Sequence, residues 1–576
     1  GHTQRPWLVP LSATEASPFG PSSQGWRISE VQDAKAKANA ETSNGEADET
    51  VICHVAADGF EERMVPFPVP SGSYRDLAVV KDGVVWIEVA DRGGELGATR
   101  AGVTGEAPSD VLWHYNLSAR HLDKLCERVD TFSVSGDGER LVVRHRDDII
   151  VVPSSHKVDG DDPACIRVDL TRLRRTVNPR AEWRQMFDEN GRLMASHYWR
   201  EDMNGVDWDG VLNRYRPLVD LCHVVDDLHD ILWETVAELN TSHSYVSASG
   251  AAGDSDMRAG LLGADVSSGD DGARVVRVIP GESSDPRAWS PLRAAGVAVT
   301  EGDVIVAVDG RKVGADGNLG ELLEGSAGRV VELTVRRGEN ERQVAVVPMA
   351  DEAPLRYHDW VASRRRYVEE HSGGRLGYLH VPDMVSDGWA ELHRQIGEAT
   401  RHEGVIADVR FNHGGHTSQL VVERLARRVV GWDYSRWYAT ADTYPQNAVR
   451  GPIVMVTNQW AGSDGDIVAA ATQAMGYAKV IGERSWGGVV GIDGRFDLVD
   501  GTSVTQPRYA GWYGSYGWGV ENHGVDPDIV VTVSPEDWEA DRDVQLDAAI
   551  AECLRQLDDK PAATAPELPG PAFDRC

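Results

Sequence analysis

The chain has 576 residues, several times the roughly 100 to 200 residues of one domain, so about three to five folding units are expected. Hydrophobic residues make up 41% and charged residues 26%, and no apolar run reaches the roughly 18 residues of a membrane span. The formal net charge of -33 argues against a nucleic-acid backbone or an anionic membrane as partner, because both repel an acidic surface; solubility is its ordinary purpose, and attraction of basic peptides to acidic clefts is the alternative. Six cysteines (Cys53, Cys126, Cys165, Cys222, Cys553, Cys576) are scattered without a C-x-x-C pair, which fits a reducing cytoplasm. The opening Gly1-His2-Thr3-Gln4 has neither an initiator Met nor a signal-peptide profile, so a trimmed or truncated chain is expected.

In chain order, residues 1 to 165 read as all-β. Short runs such as Val51-Ile52-Cys53-His54 and Val85-Trp86-Ile87-Glu88-Val89 are separated by turns such as Ser135-Gly136-Asp137-Gly138. A weak repeat opens on Val51-Ile52-Cys53-His54 and again on Val111-Leu112-Trp113-His114, which is how propeller blades read. A closed propeller takes about 4 to 8 blades and this stretch holds about three, so a partial β-propeller is expected. Asn39 to Glu49, rich in acidic and small polar residues, is expected to be a loop insertion. Residues 166 to 253 turn helical: Leu228, Ile231, Leu232, Val236 and Leu239 form one apolar stripe, whose end delivers Asn240-Thr241-Ser242-His243.

Within 254 to 350, Gly260-Leu261-Leu262-Gly263, Leu292-Arg293-Ala294-Ala295-Gly296 and the run Glu301 to Gly310 resemble a PDZ domain. Such domains bind peptide termini by adding a strand to a sheet edge, although the unit could also serve only as a spacer. Residues 351 to 560 alternate strands (405–411, 452–458, 478–483) with helices (418–430, 463–475), the pattern of an α/β core with a mainly parallel sheet. The last residues, 561 to 576, carry four prolines and read as a disordered tail. The fold class expected is therefore multidomain α+β, with a partial β-propeller, a helical segment, a PDZ domain and an α/β core.

Ser463 lies in Ala461-Gly462-Ser463-Asp464-Gly465-Asp466 between a buried strand and an apolar helix. A serine on such a turn is exposed, with free N–H groups of the new helix aimed at the same spot. Serine is also a common helix N-cap, and this feature by itself leaves both readings open. Arg410-Phe411-Asn412-His413-Gly414-Gly415-His416 ends another strand, and its glycines allow close backbone approach. His413 and His416 have poor spacing for a metal and no third partner, and there is no H-E-x-x-H, so neither metal nor cofactor is expected.

Ser463 in its setting, Asp408-Val409-Arg410-Phe411-Asn412-x-Gly-Gly, Trp486-Gly487-Gly488-Val489-Val490-Gly491 and Val520-Glu521-Asn522-His523-Gly524-Val525-Asp526-Pro527-Asp528 together resemble the tricorn protease family. The resemblance implies Ser463 as nucleophile, His243 as general base, Ser242 orienting the imidazole, Glu521 supporting Ser242, and the N–H groups of Gly415 and Asp464 as the oxyanion hole. It also implies Asp433 as a specificity acid favouring Lys or Arg, reaching a neighbouring subunit's site in a homo-hexamer. A cytoplasmic serine endopeptidase follows, degrading peptide products of larger proteolytic machines, with aminopeptidases acting on what it releases. Two alternatives stand beside it. A carboxyl-terminal processing peptidase would use a serine and lysine dyad, but the lysine's place in the glycine-rich turn is taken by Gly488, and the nearest lysine is Lys479 on a predicted strand. A catalytically silent peptide-binding scaffold would have lost at least one of the four side chains, and none is lost.

Overall fold

The computed structural model describes residues 4–12, 19, 55–58, 60–90, 109–160, 162–248, 257–314, 318–437, 440–493 and 496–568. They fall into two compact units that part between Arg175 and Thr176.

The first unit holds two four-stranded antiparallel sheets and a two-stranded one pairing Trp7–Leu8 with Val65–Pro66. Tyr74–Val80, Gly83–Glu88, Val111–Asn116 and His121–Glu127 form one sheet in chain order, and Thr131–Val134, Arg140–His145, Asp148–Pro153 and Ile166–Arg167 form the other. Alternation sets the faces: Leu141 and Val143 point into the core shared by both sheets while Arg140 and Arg144 face outward. Val111–Asn116 pairs on both sides, with Gly83–Glu88 and His121–Glu127, so it is an inner strand and does not open a repeat unit. The matching Val51 run, the Asn39–Glu49 segment, Cys53 and Cys576 lie outside the described residues. The four described cysteines are free thiols.

In the second unit three helices come first, Pro179–His197, Trp208–Val219 and Val225–Ala237. The predicted stripe is the buried face of the third: Leu228, Leu232, Val236 and Leu239 are fully buried. They share a core with Leu498 and Val504, and Val246–Ser247 pairs antiparallel with Ser503–Val504. That pairing carries the turn holding His243 onto the far half of the chain. Residues 264–346 form a six-stranded antiparallel sheet in the order Ala264–Gly269, Gly272–Val278, Val304–Val308, Val331–Arg337, Asn340–Val346, with Arg311–Lys312 beside Val304–Val308.

The last part is a three-layer α/β core. Leu376–His380, Gly404–Asp408, Ile453–Thr457, Ala478–Gly482 and Ile529–Val530 make a five-stranded, wholly parallel sheet. Its three first strands are buried at every position, because helices cover both faces of the sheet. Val405 and Ala407 face helices Ser386–Ala399, Ser418–Leu425 and Asp464–Met475, while Ile406 faces Ala353–His371 and Val544–Asp559. The strand Leu376–His380 escaped the sequence reading, and the expected helix over 418–430 ends at Leu425 because Gly431–Asp433 pairs as a strand with Asp442–Tyr444. Of the tail, residues 561–568 lie against the core, with the Ala563 N–H donating to the Arg450 carbonyl at 2.8 Å and the Tyr434 hydroxyl to that of Pro566. The rest of the tail lies outside the described residues. No helix among the described residues is long and apolar enough to cross a membrane.

Candidate active site

Ser463 stands at the carboxyl end of the strand Ile453–Thr457 and directly before the helix Asp464–Met475. Its backbone has φ 59° and ψ −118°, a region that costs a non-glycine residue roughly 1 to 3 kcal/mol. Its side chain makes no capping bond to the helix, so the ordinary role of a serine at this place is not the one it fills. The turn is tight enough that a Cβ at Gly462 would come within 2.7 Å of the Trp486 ring.

The glycine loop is brought to Ser463 by the next strand. Arg410, nearly buried, is held between Asp408 at 2.7 Å and Asp543 at 2.7 Å. Asn412, fully buried, donates from Nδ2 to the Val381 carbonyl at 2.8 Å, accepts from the Gly414 N–H at 2.9 Å, and through its own carbonyl accepts from the Gly462 N–H at 3.0 Å. It thereby ties the glycine loop to the serine turn. A Cβ at Gly414, whose φ is +75°, would stand 2.6 Å from the Ser463 Cβ. Met384 bridges to the loop in register with Gly415, using the Gly414 carbonyl and the His416 N–H. That leaves the Gly415 N–H pointing the other way, and among the described residues neither it nor the Asp464 N–H donates to any acceptor.

His243 sits in the turn after the third helix with φ +61°. Its Nδ1 lies 3.1 Å from the Ser242 Oγ, which donates to Glu521 Oε2 at 3.0 Å. Glu521 is fixed by the N–H groups of Ser242 at 2.7 Å, Val489 at 2.7 Å and Val490 at 3.1 Å. An ionised carboxylate only accepts hydrogen bonds, so the one hydroxyl proton of Ser242 goes to Glu521. The Ser242 oxygen must then accept from His243 Nδ1–H, which leaves Nε2 with its lone pair free. Burial lowers the imidazole pKa from its ordinary 6.5, against the opposing pull of the Glu521 charge and the Val490 backbone. Trp486 and Tyr245 meet the ring edge to face, with centroids 5.6 and 5.7 Å away.

Ser463, His243, Asn412, His413, Trp460 and Trp486 line one cavity of about 250 Å³. Ser463 and His243 share it without hydrogen-bonding one another, and such pairs are often looser than hydrogen-bond distance until substrate enters. The site therefore brings together Ser463, His243, Ser242, Glu521 and the backbones of Gly415 and Asp464. It does not bring in Asp433, an exposed residue opposite Asp442 in a two-stranded ribbon, with no contact to the cavity residues among those described. Lys479 pairs with Asp528 at 3.7 Å and lies in register with Val454, at the end of its strand away from Ser463. No group of three metal-binding side chains occurs among the described residues.

Three residues carry structure the sequence did not assign. The Asp464 carboxylate accepts from the Ser418 N–H at 2.9 Å and from its hydroxyl, and burial raises its pKa. Asp466, fully buried and pushed up to about 6 by desolvation, accepts from the Ser485 hydroxyl, from the Gly487 N–H at 2.8 Å and from the Gly488 N–H at 3.3 Å, fixing the turn that bears Trp486. Thr505 accepts from the Tyr245 N–H at 2.7 Å and donates to the His243 carbonyl, clamping the histidine turn from both sides. An aspartate in a helix's first turn and a threonine beside a strand are ordinary in sequence, so only the contacts reveal these roles. Just before the PDZ-like sheet, the Gly260 and Leu261 N–H groups already donate to the Leu323 and Met349 carbonyls, both at 2.8 Å.

Comparisons with known proteins bear on this geometry. Residues 375–531 match the model of peptidase family S41, residues 260–351 that of the tricorn protease PDZ domain, and residues 179–237 that of the tricorn protease C1 domain. The chain is 53% identical over 570 residues to tricorn protease homolog 1 of Streptomyces coelicolor, covering 98% of this chain and 52% of that one. It is 34% identical over 497 residues to the tricorn protease of Thermoplasma acidophilum, covering 86% of this chain and 46% of that one. A solved tricorn protease structure superimposes with a TM-score of 0.82 at 31% identity, over 96% of this chain and 51% of that chain. The chain thus spans about half the length of the curated relatives it matches. With the C1, PDZ and S41 segments in this order on one chain and the matching backbone, the chain belongs to the tricorn protease family.

Proposed function

We propose that this chain is the catalytic part of a serine endopeptidase in which Ser463 attacks the peptide carbonyl and His243 acts as general base. The observation that carries the reading is the direction of the relay. The Ser242 hydroxyl donates a hydrogen bond to Glu521, its oxygen accepts one from His243 Nδ1–H, and Nε2 is left as the acceptor in the cavity it shares with Ser463.

In the first step the Ser463 Oγ–C bond forms as the Oγ proton passes to Nε2, and the carbonyl oxygen becomes an oxyanion held by the Gly415 and Asp464 N–H groups. Collapse breaks the C–N bond, and the imidazolium returns its proton to the leaving amine. Water, deprotonated by the same Nε2, then splits the acyl-enzyme and restores Ser463.

Peptides are the substrate class, including those released by larger proteolytic machines, and the charge of -33 favours basic ones. Asp433, exposed and outside its own chain's cavity, suits a specificity acid for Lys or Arg offered to a neighbouring subunit of a homo-hexamer. Aminopeptidases in the same cytoplasm would trim the products. The test is hydrolysis of fluorogenic peptides with Arg or Lys at the cleaved bond, by the protein, Ser463→Ala and His243→Ala, with a chelator throughout. Chelator-resistant activity lost in both variants is expected; activity surviving Ser463→Ala refutes the proposal.

A further inference from the structure

At the end of the parallel sheet away from Ser463 lies a second cavity, of about 630 Å³, lined among others by Arg427, Arg428, Arg450 and Lys560 and by no carboxylate. In a protein of net charge -33 this is an inverted local balance. Among the described residues none of the four cations pairs with an acid. Arg450 donates to the carbonyls of Arg401 at 2.6 Å and Ala563 at 3.4 Å, which places its guanidinium without neutralising it. The acids next to Lys560 are engaged elsewhere, Asp558 with Arg375 at 3.7 Å and Asp559 with Arg555 at 2.7 Å.

Part of this charge has an ordinary purpose. Three helices, Ser418–Leu425, Asp464–Met475 and Val544–Asp559, end at the cavity, and cations complement the partial negative charge of helix carboxyl ends. Each end carries roughly half a charge, so the three account for about one and a half of the four cations, leaving roughly two to three positive charges uncompensated. Guanidinium forks converging from separate segments on a concavity match the oxygens of phosphate groups.

We propose that this cavity binds a small oxyanion carrying two to three negative charges, of the pyrophosphate or phosphate-ester type. It is separate from the catalytic cleft: the helix Asp464–Met475 runs from Ser463 to the cavity, a span of about 18 Å at 1.5 Å per residue. The proposal does not depend on the peptidase reading.

Isothermal titration of the full chain with inorganic pyrophosphate, at constant ionic strength set by chloride, tests it, with phosphoserine as a second titrant to separate a free oxyanion from an ester. Saturable binding to the wild type is expected, weakened at least roughly tenfold in Arg427→Gln/Arg428→Gln/Lys560→Gln and falling as salt rises. Absence of saturable binding of either titrant, or equal affinity in the triple variant, overturns it. Should the triple variant melt early by circular dichroism, the single variants Arg428→Gln and Lys560→Gln, both at exposed side chains, decide the matter: each is expected to weaken binding several-fold, and unchanged affinity in both overturns the proposal.

Discussion

Replacing Glu521 by Gln keeps the shape of the relay and alters only its hydrogen-bond logic. Oε2 accepts from Ser242 Oγ, Val489 N and Val490 N, and Oε1 accepts from Ser242 N. A glutamine offers one acceptor oxygen, and whichever way its amide turns, an NH₂ faces at least one donor. Keeping the oxygen on the three-donor side leaves the Ser242 N–H unsatisfied, at about 1 to 3 kcal/mol, and strips the remaining bonds of charge assistance worth about 1 kcal/mol. The sum, roughly 2 to 4 kcal/mol, falls on the turn that sets the His243 tautomer, and a tenfold rate change is about 1.4 kcal/mol. A loss of roughly 30- to 1000-fold in kcat/KM on a fluorogenic peptide follows, carried mainly by kcat because no contact to substrate is removed. Thermal melting run in parallel separates loss of relay from loss of fold. A kcat/KM for Glu521→Gln within twofold of wild type, with the protein folded, refutes the relay as drawn.

Other expectations follow from the same geometry. Activity requires neutral His243, and burial lowers its pKa, so the acid limb of kcat/KM against pH has its midpoint below 6.5; a midpoint above 6.5 contradicts the environment described. In Glu521→Gln the carboxylate that raises this pKa is gone, so the limb moves to still lower pH. Gly414→Ala drives a Cβ to 2.6 Å from Ser463 at a backbone φ of +75°, so at least about 100-fold lower kcat/KM is expected together with roughly 1 to 3 kcal/mol lower stability in urea melts; near-normal turnover would show that the loop yields freely. Thr505→Val removes both halves of the clamp on the histidine turn, about 1 kcal/mol or more each, and is expected to lower kcat about tenfold with KM little changed, Thr505→Ser restoring it. Equal kcat in the valine and serine variants would show that Thr505 does not position His243.

Local chemistry made much of this protein legible in one dimension. The apolar runs within 405–411, 452–458 and 478–483 read as strands and form strands over 404–408, 453–457 and 478–482, the stripe from Leu228 to Leu239 reads as the inner face of a helix, and the small residues around Ser463 as a tight strand-to-helix turn. Each of these signals is set by neighbours within a few residues. The wholly buried strand Leu376–His380 was missed because Gly377, Tyr378 and His380 interrupt its apolar pattern, and its identity comes from pairing with Gly404–Asp408. The relay is of the same kind: His243 and Glu521 are far apart in sequence and meet because Val246–Ser247 pairs with Ser503–Val504, while the proton direction rests on four bonds to one carboxylate. The serine's strained backbone, the burial that raises Asp466, and the gathering of Arg427, Arg450 and Lys560 at three helix ends are also set by packing. Sequence determines which segments must be strands, helices and turns, since that follows from local period and backbone freedom. Which side chains share a dielectric, a proton or a cavity depends on contacts across hundreds of residues, and only the tertiary structure decides it.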